Sequence, residues 1–299
     1  MLKSFLKYVE ITTKITSVFA YLNTMLFILY QRQPVNVKMM VVFFIAMFIF
    51  DLTTTAINNY IDSKDYPEML PIPRKSAFAA IIIMLSVSTI LGLYLAYNTG
   101  IVVLLLGAFC FALGIFYTFG PIPISRIPLG EAISGIAYGM FIPFLMLYIN
   151  NPEYYLDLGF SWEMITLNIH VMPFITFFLF SLVMTFTTAN IMLANNTCDI
   201  EKDTAVGRLT LAYYIGRKWA VRLYALLYYG CYASVALMVI CGFLKPIALI
   251  FFLSLPLVIK NIHTFRKEQI KEKTFITSIK NFLVINISYA ISLLVASLF

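Results

Sequence analysis

Two short stretches of this sequence gather hard oxygen donors on one side of a helix. The first reads Asp51-Leu-Thr-Thr-Thr55-Ala-Ile-Asn58-Asn59-Tyr-Ile-Asp62-Ser-Lys64-Asp65. Asp51, Thr55, Asn58 and Asp62 follow one another at intervals of four, three and four residues, the spacing that stacks side chains along one helical face. The second reads Asn195-Asn196-Thr-Cys-Asp199-Ile-Glu-Lys202-Asp203, and it stacks Asn196, Asp199 and Asp203 with Asn195 beside them. Like charges at this spacing repel, so two such clusters on one side of a protein make sense when a cation sits between them. Carboxylate and amide oxygens without histidine or thiolate suit a hard ion, magnesium before zinc. Magnesium takes few protein carboxylates and completes its shell with water and phosphate oxygens. The implied ligand is a diphosphate. The plainer alternative makes both clusters solvated caps where helices leave an apolar phase, and for the deeper Asp51 a structural hydrogen bond to a neighbouring helix is the competing role.

Bases accompany both clusters. Arg74 and Lys75 follow the first across a turn carrying Pro67, Pro71 and Pro73, while Lys202 and Arg208 belong to the second. Such cations can clamp phosphate oxygens and offset charge on a leaving diphosphate. Their competing role is to anchor the chain at a membrane surface.

The elements that must position these residues are read from hydropathy. Of 299 residues, 61% are hydrophobic and 12% charged, against about 45–50% and about 25% in soluble domains. A membrane-crossing helix needs about 20 apolar residues. Apolar runs at 15–30, 39–61, 77–97, 101–119, 130–149, 172–197, 219–241, 246–260 and 277–299 predict an all-α, polytopic bundle of about nine transmembrane helices. No linker divides the chain, so residues 1–299 form one domain. With the N-terminus on the cytoplasmic side, every lysine and arginine except Arg32, Lys38 and Lys245 falls on inner segments, as the positive-inside rule requires. The longest outer loop, about 150–171, carries Glu153, Asp157 and Glu163 and no base. Both acidic helix ends then face the cytoplasm. The net charge of +7 reads as an orientation signal with attraction to anionic membrane lipid, and gives no case for nucleic acid. Four scattered cysteines make neither a disulfide framework nor a zinc pattern. The two histidines, His170 and His263, are far apart and lack partners. The N-terminus has no cleavable signal pattern.

These residues resemble the UbiA superfamily of intramembrane prenyltransferases. Asn58-Asn59-Tyr-Ile-Asp62 is similar to its first aspartate-rich motif and Asp199-Ile-Glu-Lys-Asp203 to its second. Two further stretches resemble the menaquinone branch, the 1,4-dihydroxy-2-naphthoate polyprenyltransferases. One runs from Asn195 through Gly207-Arg208-Leu-Thr210-Leu-Ala212 to Ile215-Gly216, and the other is Tyr117-Thr-Phe-Gly-Pro121-Ile-Pro123 leading to Leu129-Gly130-Glu131. The resemblance covers the chain to about residue 220; beyond it only hydropathy matches.

It implies nine helices around a central cavity and transfer of a polyprenyl group from an allylic diphosphate to an aromatic acceptor. 1,4-Dihydroxy-2-naphthoate would be that acceptor, decarboxylated to a demethylmenaquinone precursor. It implies Mg2+ held by Asp62, Asp65, Asp199, Asp203, Asn58 and Asn195, and diphosphate bound by Arg74, Lys75, Lys202, Arg208 and Arg126. Asp62, Asp199, Asp203, Asn58 and Tyr117 are the implied catalytic positions. Asn59 stands where the family often has an acid, and Pro121 where ubiquinone-type members have lysine; Arg126 is the candidate to supply that charge. Other acceptors (4-hydroxybenzoate, haem, a lipid alcohol) stay open, as does a cation transporter.

Overall fold

The computed structural model describes residues 2–64, 70–121 and 123–299. Asp65 and Pro67 lie outside the described residues. A short helix α1 (Leu2–Tyr8) and a 3-10 turn lead into α2 (Ile15–Tyr30). The long helix α3 (Val37–Asp62) starts where the Asn36 side chain accepts a hydrogen bond from the backbone N–H of Met39, a helix N-cap. Helix α4 (Arg74–Thr99) follows Pro73 and stops at Gly100 (φ 101°), from which α5 (Ile101–Phe116) returns.

The next crossing is built from α6 (Gly130–Ile136), a π-helical turn (Ala137–Phe141) and α7 (Ile142–Asn150). Pro143, near the start of α7, has no N–H and would clash with the preceding turn of a regular helix; the wide turn just before it absorbs the irregularity. After α8 (Pro152–Tyr155), the outer loop forms an antiparallel hairpin of β1 (Leu156–Phe160) and β2 (Ile165–Ile169), with Leu158 opposite Leu167. This small sheet is an addition to the helical plan. Helices α9 (Val171–Cys198), α10 (Ile200–Ala205), α11 (Leu211–Ile240), α12 (Leu255–Lys267) and α13 (Ile276–Leu298) complete the chain. The α12 crossing begins as a 3-10 stretch, Pro246–Ser254, that hands over to α-helix at Leu255. Among the described residues, eight helical segments are long and apolar enough to cross a membrane. The ninth apolar helix, α5, has 16 residues, fewer than a perpendicular crossing needs.

Helix α9 is the hub, packed against α6, α11 and α13. Close approach to α6 depends on missing side chains. A Cβ on Gly139 would lie 2.2 Å from the backbone nitrogen of Thr185, and one on Gly135 2.7 Å from the Thr185 carbonyl oxygen. Small residues let membrane helices come together in this way. Glu131, Gly135 and Gly139 recur every four residues, so the same contact carries Glu131 to the end of α9. Polar bridges tie the bundle further in: Asn23 on α2 donates to Asn286 on α13, which donates to Thr187 on α9. Phe27 stacks on Phe180 with ring centres 4.0 Å apart.

Candidate active site

The acidic end of α3 and the acidic end of α9 are joined by one loop, residues 117–126. Asn58 on α3 accepts a hydrogen bond from the Thr118 hydroxyl at 3.0 Å. The loop closes on itself through the Ser125 N–H, which donates to the Tyr117 carbonyl. The Ser125 carbonyl then accepts from Arg208 Nε at 3.0 Å, and Arg208 lies 3.9 Å from Asp203. The Leu209 N–H donates to the Arg126 carbonyl. This loop thus links Asn58 to Asp203 through Thr118, Ser125 and Arg208. Two motifs about 140 residues apart therefore stand on the same side of the bundle.

At the α9 end the carboxylates are already matched by cations. Asp199, 8% exposed, pairs with Lys271 from the segment before α13 and lies 4.0 Å from Lys202. Burial pushes the Asp203 carboxyl above the ordinary aspartate range, while Arg208 pulls it back. Among the described residues, one Asp203 oxygen is buried without a hydrogen-bond partner, as are the Tyr117 hydroxyl and one Glu131 oxygen. The other Glu131 oxygen accepts from Asn196 at 2.8 Å. Tyr117, Glu131 and Arg208 are near enough to interact electrostatically. Asn195 is half-buried, its amide 3.5 Å from that of Asn196.

At the α3 end, Asp62 is exposed and has no ion pair among the described residues. Asn59 turns away from the site and donates to the Tyr8 carbonyl and to Glu10. Arg74 is engaged locally: its guanidinium stacks 4.0 Å over the Tyr60 ring and donates to the Ser63 carbonyl. Lys75 and Arg126 are exposed. Asp51 forms a separate cluster deeper on the same helix. It accepts from Lys14 at 3.0 Å, Ser17 at 2.6 Å and Tyr138 at 2.7 Å. Lys14 is thus a buried counter-ion holding α2, α3 and the α6–α7 crossing together, whereas the charge distribution counts it only among the inner-side bases.

Among the described residues, no three His, Cys, Asp or Glu side chains converge as a ready metal cage. The donors nevertheless fit a hard divalent ion in kind, since they are carboxylates and amides and one buried Asp203 oxygen lacks a partner. Two features escaped the sequence reading. Lys271 looked like one more inner-side base among its lysine-rich neighbours, and Glu131 appeared only as part of a motif, without its bond to Asn196. A carboxylate at the start of the apolar run 130–149 was the available signal.

A sequence model of the UbiA prenyltransferase family matches residues 18–285. The chain belongs to this family. It is 31% identical over 170 residues to 1,4-dihydroxy-2-naphthoate octaprenyltransferase of Bacillus subtilis (strain 168), a match covering 57% of the chain and 49% of that relative. The chain thus spans about half the length of this curated relative. Its fold is similar to the apo structure of a UbiA homologue from Aeropyrum pernix K1, with TM-score 0.66, 18% identity and coverage of 93% and 96% of the two chains. It is also similar to a UbiA homologue from Archaeoglobus fulgidus bound to GPP and Mg2+, with TM-score 0.61, 12% identity and coverage of 98% and 99%. The chain is a multi-pass membrane protein of the UbiA family.

Proposed function

We propose that this protein transfers a polyprenyl group from an allylic diphosphate to an aromatic acceptor, and that the acceptor is 1,4-dihydroxy-2-naphthoate. The observation that carries the reading is the shared 117–126 loop, bonded to Asn58 on one side and to Arg208, beside Asp203, on the other. Such a bridge is of use where both acid ends act on one ligand. The naphthoate acceptor rests on the Bacillus subtilis relative and on the Tyr117–Glu131 and Asn195–Gly216 stretches of the sequence.

Asp62, Asn58, Asp199, Asp203 and Asn195 are the residues that would hold magnesium, with Asp65 a further candidate. When bound, the metal supplies positive charge to the leaving diphosphate. The chain's own bases do the rest. Arg208, fixed by the Ser125 carbonyl, presents its guanidinium beside Asp203 as a rigid phosphate clamp. Lys271 and Lys202 neutralise Asp199, and both ammonium groups would be free to meet phosphate oxygens if that carboxylate held the ion. Arg74, held against Tyr60, and the exposed Lys75 and Arg126 would add further positive charge for the diphosphate. As the allylic C–O bond breaks, the electron pair leaves with the diphosphate and the naphthoate ring supplies the pair for the new C–C bond; the ring carboxylate departs as carbon dioxide. Apolar helix faces exclude water from the allylic cation. The lysine and arginine distribution supports a cell-membrane location with the site open to the cytoplasm.

The test uses membranes containing the full chain, 1,4-dihydroxy-2-naphthoate, a polyprenyl diphosphate and Mg2+, with product read by mass spectrometry. Asp62→Asn and Asp199→Asn should each lower turnover by roughly a hundredfold or more, and chelation should abolish it. Undiminished turnover in both variants overturns the site. Product from 4-hydroxybenzoate but not from the naphthoate overturns the acceptor.

A further inference from the structure

The charge at the start of α11 does not take part in the site just described. Arg217, Lys218 and Arg222 from α11 and Arg266 from α12 line an open cleft of about 430 Å3 together with Val221 and Gln269. Four of the six lining residues are cations and none is an acid. Arg217 is matched by Glu201, whose two oxygens it meets at 2.8 Å. Among the described residues, Lys218, Arg222 and Arg266 have no ion pair. Three unmatched cations brought together from two helices repel one another unless an anion joins them.

The surroundings of the cleft select the kind of anion. Arg222 stacks 4.5 Å over the Trp219 ring, which fixes its guanidinium. Trp219, Arg222, Leu226 and Tyr229 follow at intervals of three, four and three residues and so share one face of α11. Trp219 is 59%, Leu226 64% and Tyr229 38% exposed. The face therefore offers cations and an interfacial tryptophan at the membrane edge and a bare apolar strip below, the profile of a phospholipid with its phosphate up and its acyl chain down. A water-soluble phosphate would use the cations and leave the strip uncovered.

We propose that this cleft is a binding site for the phosphate headgroup of an anionic phospholipid, in the leaflet that meets the acidic helix ends. The Arg217–Glu201 pair couples it to α10, the helix that carries Asp203, so an occupied cleft braces the second acid end from outside.

The test is native mass spectrometry of the purified, delipidated full chain, titrated with phosphatidylglycerol or with phosphatidylcholine. Phosphatidylglycerol should be retained preferentially. The Lys218→Gln/Arg222→Gln/Arg266→Gln variant should bind it roughly 10- to 100-fold more weakly. Lys3→Gln/Lys7→Gln/Lys280→Gln, which removes the same charge elsewhere, should bind like the parent. Size-exclusion profiles check that all three proteins are folded. Equal retention of the two lipids, or equal losses in the two triple variants, overturns the site in favour of diffuse surface charge. Inorganic pyrophosphate binding that the first triple variant abolishes, without selective phosphatidylglycerol binding, overturns the lipid as the occupant.

Discussion

The two acidic helix ends carry nearly the same residues in nearly the same order, yet they stand in opposite electrostatic conditions. Asp62 at the end of α3 is open to solvent and unpaired among the described residues, and Asn58 is held by a single hydroxyl. At the end of α9, Asp199 is buried against Lys271, and Asp203 is half-buried beside Arg208. The cause is position in the bundle. Helix α9 is packed by neighbours on several sides, so its terminal carboxylates lose water and require counter-charge. Helix α3 ends at a rim where water does that work. A motif repeated in sequence thus yields one end left bare to solvent and one already neutralised by neighbouring side chains.

The largest expected effect concerns what steadies the bare end. Lys14→Met leaves Asp51 charged and unmatched among α2, α3 and Tyr138. Breaking a buried pair in this way costs about 3–5 kcal/mol. We expect a sharp fall in the thermal midpoint of the detergent-solubilised protein, and recovery in Lys14→Met/Asp51→Leu. A Lys14→Met protein as stable as the parent would show that the α3 end owes nothing to this anchor.

A smaller effect separates the neutralised end from the bare one. Lys271→Gln removes the cation that competes for Asp199, so half-maximal turnover should need several-fold less Mg2+. The Lys64→Gln change near Asp62 should leave that requirement nearly unmoved. Metal titrations of initial rate measure both, and equal responses would erase the contrast between the ends.

The smallest effect is a shift in pH. Burial raises Asp203 and Arg208 lowers it, so Arg208→Gln lets it rise further. Turnover that requires the Asp203 carboxylate is lost as pH falls through that raised value; the acid limb of the rate profile should therefore move to higher pH in Arg208→Gln. A carboxyl whose folded pKa lies above its unfolded value gains stability on protonation, so this loss should appear in rate and not in unfolding. An acid limb that stays in place would remove Arg208 from control of this carboxylate.

The sequence by itself determined the helices and the chemistry of their ends. Apolar runs of membrane length have no other stable fate in lipid, and helical spacing alone puts Asn58 with Asp62 and Asn196 with Asp199. Long-range partners were illegible because they depend on how helices pack. Lys14 and Lys271 look alike in sequence, as inner-side bases, yet one is sealed against Asp51 and the other reaches a carboxylate 72 residues away. Glu131 reaches Asn196 only because Gly135 and Gly139 let two helices touch. The hairpin at Leu156–Ile169 and the π-turn before Pro143 are likewise decisions of the tertiary structure. Residue types and local periodicity fix which groups a helix offers; only the assembled bundle fixes which water they lose and which charge replaces it.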